Sequence, residues 1–217
     1  MSAEQSQVVA MDGPAASGKS SVARRVAGSL GWLYVNTGNM FRAVTWAVLH
    51  RGVDPRDAEA VACIGDDLKL DFVSDGSRIS LLTEGRDLTD AELNSQEVNN
   101  AVSLIAQVPA VRTRLVNEQR ALVKHGNLVM EGRDIGSVVF PGSPHKFYID
   151  ASEEVRAARR GQQGLSDAVA LRDKLDKTRK TAPLIVPEGA MVIDSSDLSL
   201  DEVVQRVLDV LHSWGVA

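Results

Sequence analysis

Apolar residues in this chain fall into short unbroken runs separated by longer stretches of helical periodicity. Val8-Val9-Ala10-Met11 is one such run, stopped by Asp12-Gly13-Pro14, and it predicts a strand buried on both faces and closed by a loop. Val22, Ala23, Val26, Ala27 and Leu30 then recur at helical spacing, with Gly31 as the stop signal. Residues 32–35 predict a second strand, and residues 38–51 a helix carried by Met40, Val44, Ala47 and Val48. Asp54-Pro55 predicts the start of a further helix running to about Ile64.

The period changes at Asp66. Leu68, Leu70 and Phe72 alternate with Lys69, Asp71 and Val73, Asp75-Gly76 marks a turn, and Ile79 and Leu81 resume the alternation, which predicts a hairpin. Helical patterns return at residues 95–108 and from Pro109 to about His125, the latter with Val111, Leu115, Leu122 and Val123 on its apolar face. Residues 128–130, 146–149 and 190–193 predict three more strands, and residues 198–214 a closing amphipathic helix. Strands alternating with helices make an α/β protein, a mostly parallel five-stranded sheet with helices on both faces. The region of about 66–94 interrupts that alternation and reads as a small β-containing insertion.

Composition narrows the class. The chain has 217 residues, 44% hydrophobic and 24% charged, which excludes disorder, collagen and coiled coil as whole-chain descriptions. Cys63 is the only cysteine, so there is no intrachain disulfide and no thiol-rich metal site, and its Ala/Val/Ile surroundings predict a core position. The polar first residues and the lack of any membrane-length apolar run point to a cytoplasmic protein. Net charge is −5, which argues against nucleic acid or an anionic membrane as partner. Yet residues 156–180 hold eight basic residues against three acidic ones, a net of +5, so the remainder carries −10. A basic island on an acidic chain fits a small anionic ligand, the alternative being a solvated helical face.

Gly13-Pro14-Ala15-Ala16-Ser17-Gly18-Lys19-Ser20 matches G-x-x-x-x-G-K-[ST] at every fixed position. The glycines permit a loop whose N–H groups turn toward phosphate oxygens, Lys19 brings a point charge to the β- and γ-phosphates, and the Ser20 hydroxyl can ligate Mg²⁺. Chance would produce these four letters only about once per hundred chains of this length. The apolar strand before the loop and the helix after it make a nucleoside-triphosphate site, hence a P-loop NTPase fold.

Neither N-K-x-D nor D-x-x-G occurs, which argues against a GTPase switch. Leu128-Val129-Met130-Glu131-Gly132 supplies one carboxylate, suited to a Mg²⁺-bound water, where motor ATPases carry two acids. A small-molecule kinase must instead neutralise two sets of phosphates, and it needs arginines to do so. Arg42 follows Thr37-Gly38 where the second strand meets its helix, and Arg133-Asp134 follows the third strand at the same sheet edge. Arg172, Asp176 and Arg179 are spaced to share one helix face, and Arg156, Arg159 and Arg160 form a second cluster. Arg114, Arg120 and Arg206 read as surface residues. Another nucleoside monophosphate or a small hydroxyl compound as acceptor, or a nucleotide-binding switch module without transfer, remain alternatives at this point.

From Val8 to about Leu211 the chain resembles the bacterial cytidylate kinases. The resemblance rests on the phosphate loop, Thr37-Gly38 with Arg42, Gln96-Glu97-Val98 with Val102-Ser103, Val108-Pro109 with Arg112, Glu131-Gly132-Arg133-Asp134-Ile135-Gly136, Val138-Val139-Phe140-Pro141, and Arg172-Asp173 with Asp176, Arg179 and Pro183-Leu184. It departs from the family pattern in having Asn36 for Asp, Phe41 for Tyr, Glu131 where Asp is common, and a shorter interval between Arg160 and Arg172.

The resemblance implies ATP-dependent transfer to CMP or dCMP, in line and without a covalent intermediate. Gly13 to Ser20 and Ser21 would bind ATP, with Mg²⁺ at Ser20 and with Arg156, Arg159 and Arg160 in a lid closing over it. Arg42 and Arg133 would hold the CMP phosphate near Thr37. Ser103, Arg112 and Asp134 would read cytosine, and Arg172 and Asp176 would contact the pentose. Lys19, Arg133 and Arg179 would serve catalysis. It further implies a monomer with core residues 1–37, 96–150 and 180–217, a monophosphate-binding region at about 38–95 and a lid at about 155–179.

Overall fold

Strands that are apolar at every position need cover on both faces, and helices supply it here. The computed structural model describes residues 6–162, 175–176, 178–179 and 182–216. In chain order the elements begin β1 (Val8–Asp12), α1 (Lys19–Leu30), β2 (Leu33–Asn36), α2 (Thr37–His50) and α3 (Ala58–Asp67). A small group follows: β3 (Leu70–Ser74), β4 (Ile79–Thr83), β5 (Arg86–Asp87) and α4 (Asp90–Leu93). Then come α5 (Gln96–Ile105), α6 (Pro109–Ala121), β6 (Leu128–Gly132), β7 (His145–Asp150), α7 (Glu153–Gln162), β8 (Met191–Asp194) and α8 (Leu200–Ser213).

The main sheet is parallel, in the order β2-β6-β1-β7-β8. Every residue of β1 and β6 is buried, as their unbroken apolar runs predict. Alternate residues serve opposite layers. Val9, Met11, Val129, Phe147 and Ile149 pack with Val22 and Val26 of α1 and Val203, Val207 and Leu211 of α8. Val8, Ala10, Leu128 and Met130 face the other way, against Val116, Leu122 and Ile135. Beyond that layer, Val44, Val48, Val61, Ile64, Val102, Ile105 and Leu115 join α2, α3, α5 and α6 into a helical core. Phe147 is completely buried, and truncating such a side chain to Ala costs about 3–5 kcal/mol.

The predicted hairpin is present and is extended to three antiparallel strands by β5. Asp75 makes its turn, accepting the N–H groups of Ser77 and Arg78 (both 2.9 Å). Thr89 and Glu92 cap α4 reciprocally, as Ser199 and Glu202 cap α8.

Three local expectations are corrected. The helix predicted from Asp54-Pro55 starts at Ala58, because residues 54–57 close a turn and the Asp57 side chain accepts the Ala60 N–H (3.1 Å) as N-cap. The helix predicted to reach His125 is α-helical only to Ala121 and tightens to a 3₁₀ turn over Leu122–His125 before Gly126. Cys63 is exposed: the inward face of α3 carries Val61 and Ile64, and residue 63 falls on the other side. Arg114 and Arg120, expected at the surface, are half-buried and exposed respectively, and both tie down carbonyls. Arg120 donates to Val139 O (2.9 Å) and Val138 O (2.8 Å), and Arg114 to Gly65 O and Leu68 O.

Candidate functional site

Parallel strands in register bring their carboxyl ends to one edge. Asp12 lies beside Gly132, and Asn36 beside Glu131, so the loops that follow β1, β2 and β6 meet there. After Asp12 the chain turns through Gly13, at φ +154, where a Cβ would lie 2.1 Å from the Ile149 carbonyl oxygen. No side chain fits. The helix α1 begins after Gly18, whose φ is +89, and its first-turn amides receive no side-chain cap. Uncapped amides at a helix N-terminus form an anion site. Lys19 is buried and folds back over the loop, its Nζ donating to Pro14 O (3.1 Å).

Behind the loop stand two arginines of α7. Arg156 Nη1 donates to Ala15 O (3.4 Å) and its Nε to Ala151 O (2.9 Å). Arg159 Nη1 donates to Ser17 O (3.3 Å) and Ser195 Oγ (3.0 Å), while the Ser195 hydroxyl donates to Ser17 O (3.0 Å). In a trans peptide the carbonyl and the next N–H point in opposite directions. Holding Ala15 O and Ser17 O outward therefore turns the N–H groups of Ala16 and Gly18 toward the cleft side.

The cleft beyond the loop measures about 380 Å³. Of the residues singled out in the sequence, Ala15, Ala16, Gly18, Lys19, Ser20, Ser21, Thr37, Arg42, Ser103, Arg112, Arg133, Asp134, Arg160, Asp176 and Arg179 line it. Gly13, Pro14, Ser17, Arg156 and Arg159 are not in its lining and belong to the supporting wall. Arg172 lies outside the described residues. Counting all described lining residues, seven cationic side chains face four carboxylates. That excess, on a chain of net charge −5, makes the cleft a site for anions.

On the side away from the loop, Arg112 and Asp134 form a buried ion pair (2.5 Å). The Arg112 Nε donates to Ala106 O (3.2 Å), and its guanidinium lies over the Phe41 ring, 5.2 Å from the centroid. Asp134 precedes a π-helical turn, Ile135–Val139, whose first amides are held by Asp12: Ile135 N–H and Gly136 N–H each donate to its carboxylate (2.7 Å). Burial pushes Asp12 up to about 7, with the nearby Asp134 adding to the rise, while those two bonds and Lys19 oppose it.

Between the two regions, Arg133 donates through Nε to Asp176 (2.9 Å) and through Nη1 to Gly13 O (3.1 Å), and Arg179 pairs with Asp176 from the other side. Residues 175–176 are helical, but Arg179 is not on that helix. The Asp176 carbonyl accepts the Leu184 N–H (2.9 Å), and Arg179 meets Asp176 from a non-helical position. Burial draws Arg179 below its ordinary value, against the pull of Asp176. Its Nε is buried with no hydrogen-bond partner among the described residues, as fits a group that meets an incoming anion.

Asn36 caps α2 by accepting the Asn39 N–H (3.2 Å), a task Asp would also perform. Thr37 donates to Glu131 O (2.8 Å), and a Cβ on Gly132 would sit 2.6 Å from the Thr37 hydroxyl. Ser20 and Glu131 face the cleft together. Among the described residues no group of three or more His, Cys, Asp or Glu is placed to cage a metal ion. This sparse oxygen set fits Mg²⁺ carried in on phosphates. The sequence reading missed Asn94 and Asn99. Asn94 lines the cleft, and Asn99 is buried behind it, contacting Arg42 and Arg160. Neither belongs to a periodic or charged motif.

A family model described as cytidylate kinase matches residues 9–213. The cytidylate kinase of Mycolicibacterium paratuberculosis is 44% identical over 94% of this chain and 95% of its own length. That of Geobacillus kaustophilus is 40% identical over 94% and 96%. Among solved structures, a gluconokinase from Sinorhizobium meliloti superposes with a TM-score of 0.50 at 15% identity, covering 98% of this chain and 95% of that one, a likeness of fold.

Proposed function

This chain belongs to the cytidylate kinase family, and from that premise we propose that it moves the γ-phosphate of ATP to CMP or dCMP, releasing ADP and CDP or dCDP. The observation that carries this reading is the buried Arg112–Asp134 pair in the same cleft as the phosphate loop. Cytosine offers an amino donor at N4 beside acceptors at N3 and O2. A carboxylate next to an arginine matches that edge, with the Ser103 hydroxyl close by. A buried ion pair stabilises a fold poorly compared with apolar packing, so its retention in a cleft wall favours recognition.

The phosphate loop residues Gly13 to Ser20, with Ser21, take the triphosphate of ATP. Arg156 and Arg159 support this from behind by holding loop carbonyls. When bound with ATP, Mg²⁺ would sit by Ser20 and the Glu131 side and spread charge over the β- and γ-phosphates. Arg42 and Arg133 hold the CMP phosphate beside Thr37, and Asp176, with Arg172, takes the pentose. An oxygen of that phosphate forms a bond to the γ-phosphorus as the bond to the β,γ-bridging oxygen breaks. Lys19, Arg133 and Arg179 hold the moving phosphoryl group. Arg160 belongs to the same cationic wall.

A coupled ADP-release assay over CMP, dCMP, UMP, AMP and dTMP tests the reading. CMP and dCMP should be the preferred acceptors. If AMP or UMP is used equally well, the cytosine assignment fails and a different monophosphate kinase is indicated.

A further inference from the structure

Glu131 is buried, yet it lines the cleft together with Ser20. Its place in the sheet decides what can hold it. In the parallel register of β2 and β6, Asn36 lies opposite Glu131 and Tyr34 opposite Val129. Residues two apart in a strand share a face, so Tyr34, Asn36 and Glu131 point into the layer that α1 covers, where Tyr34 packs with Val22, Val26 and Val129. Tyr34 and Glu131 are diagonal neighbours on that face, and their long side chains meet: the Tyr34 hydroxyl donates to Glu131 Oε1 (3.2 Å). An aspartate at 131 would end short of that hydroxyl by about one C–C bond, ~1.5 Å.

The ring that carries the hydroxyl is itself fixed. It is buried under α1, and the Arg24 guanidinium of that helix lies over its face, 5.4 Å from the centroid. Arg24 stands one turn beyond Ser20 on α1 and lines the cleft, whereas Tyr34 sits behind the lining. Asn36 caps α2 as Asp would, but it sets no second negative charge opposite Glu131. Glu131 is therefore the one carboxylate that β2 and β6 carry on this face, and one of its two oxygens is anchored. We propose that Tyr34 is a positioning residue for nucleotide binding: its hydroxyl anchors Oε1 of Glu131 and so directs the other carboxylate oxygen to the cleft, where it serves the Mg²⁺ that accompanies ATP. A carboxylate oriented by a partner behind it serves a cation or its bound water better than one free to turn. This inference rests on the placement of Mg²⁺ by Ser20 and Glu131 in the function proposed above.

The test is calorimetric binding of AMP-PNP, a non-transferring analogue of ATP, to the full chain in excess Mg²⁺ and in EDTA. The ratio of the two Kd values reads the metal's share of binding, and no turnover enters it. Tyr34→Phe, which removes only the hydroxyl, should shrink that ratio about fivefold or more while Kd in EDTA stays within about twofold of wild type. General damage to the phosphate loop would move both Kd values alike. Added to Glu131→Gln, Tyr34→Phe should cause no further loss, because it acts through that carboxylate. Glu131→Asp takes the carboxylate out of reach of the hydroxyl, so on that background too Tyr34→Phe should change the ratio by less than about twofold. This second pair serves if Tyr34→Phe alone does not fold. Initial rates should agree: Tyr34→Phe should need about fivefold more Mg²⁺ for half-maximal velocity, with KM for CMP within about twofold of wild type. A Tyr34→Phe ratio within about twofold of wild type overturns the proposal, as does further loss on either Glu131 background. If wild type binds AMP-PNP no better with Mg²⁺, or Glu131→Gln leaves the ratio unchanged, the placement of Mg²⁺ falls with it. If Glu131→Gln shrinks the ratio and Tyr34→Phe does not, the role of Tyr34 alone falls.

Discussion

At the scale of single residues, the proposed function places groups for the reaction and groups for recognition at different ends of the cleft. Lys19 bends over the phosphate loop and lines the cleft; in the proposed reaction its charge would meet the γ-phosphoryl group as it moves. Asp134 is paired with Arg112 at the other end of the same cleft. Lys19→Ala should therefore lower kcat by about 10²–10³-fold, the usual scale for losing one preorganised electrostatic contact. Asp134→Ala should raise KM for CMP at least about tenfold while ATP affinity stays within about twofold, both read from initial-rate kinetics. That variant also leaves Arg112 buried without its partner, at a cost of about 3–5 kcal/mol in stability. Equal damage to ATP binding would contradict the assignment of Asp134 to the base.

At the scale of elements, β1 links the two halves of the site through one carboxylate. Asp12 is its last residue. Gly13 follows in the phosphate loop, and the Asp12 side chain holds the amides of Ile135 and Gly136, directly after Arg133 and Asp134. One carboxylate thus ties the two loops together. Burial raises Asp12 from about 3.8 to about 7, so between these limits the folded chain keeps a proton that the unfolded chain has released. Stability from this group is complete below the lower value and is lost as pH rises toward the upper one, by up to about 1.4 kcal/mol per pH unit. The charged neighbours that set the shift are Asp134 and Lys19. Asp12→Asn removes the titration. Its urea midpoint relative to wild type should therefore rise between about pH 4 and about pH 7, and parallel curves for the two proteins would contradict the shift. Helix α7 shows the same logic without titration, since Arg156 and Arg159 orient the loop by holding the carbonyls at its back.

At the scale of the whole molecule, an acidic chain encloses a cationic cleft, a distribution that admits small phosphates and disfavours long polyanions. Duplex DNA should not be retained even at about 50 mM salt, where a protein neutralising several phosphates binds firmly; binding that strengthens as salt falls would contradict this. No helix among the described residues is long and apolar enough to cross a membrane. The strands and their mostly parallel arrangement were legible in the sequence because a strand buried on both faces must be apolar at every position, as Val8 to Met11 and Leu128 to Met130 are. The phosphate loop was legible for a similar reason: Gly13 and Gly18 stand where backbone conformation excludes other residues, and Lys19 and Ser20 where the chemistry does. Other features depend on partners distant in the chain. Cys63 could be placed outward only once α3 had a face. Asn99 meets Arg42 and Arg160, 57 and 61 residues away, and Arg156 a carbonyl 141 residues away. Short-range patterning determined the elements and the phosphate loop, because those follow from local backbone geometry and burial. Tertiary structure decided which arginines line the cleft and which hold the loop, because that choice depends on which carbonyls and carboxylates the folded chain brings within hydrogen-bond distance.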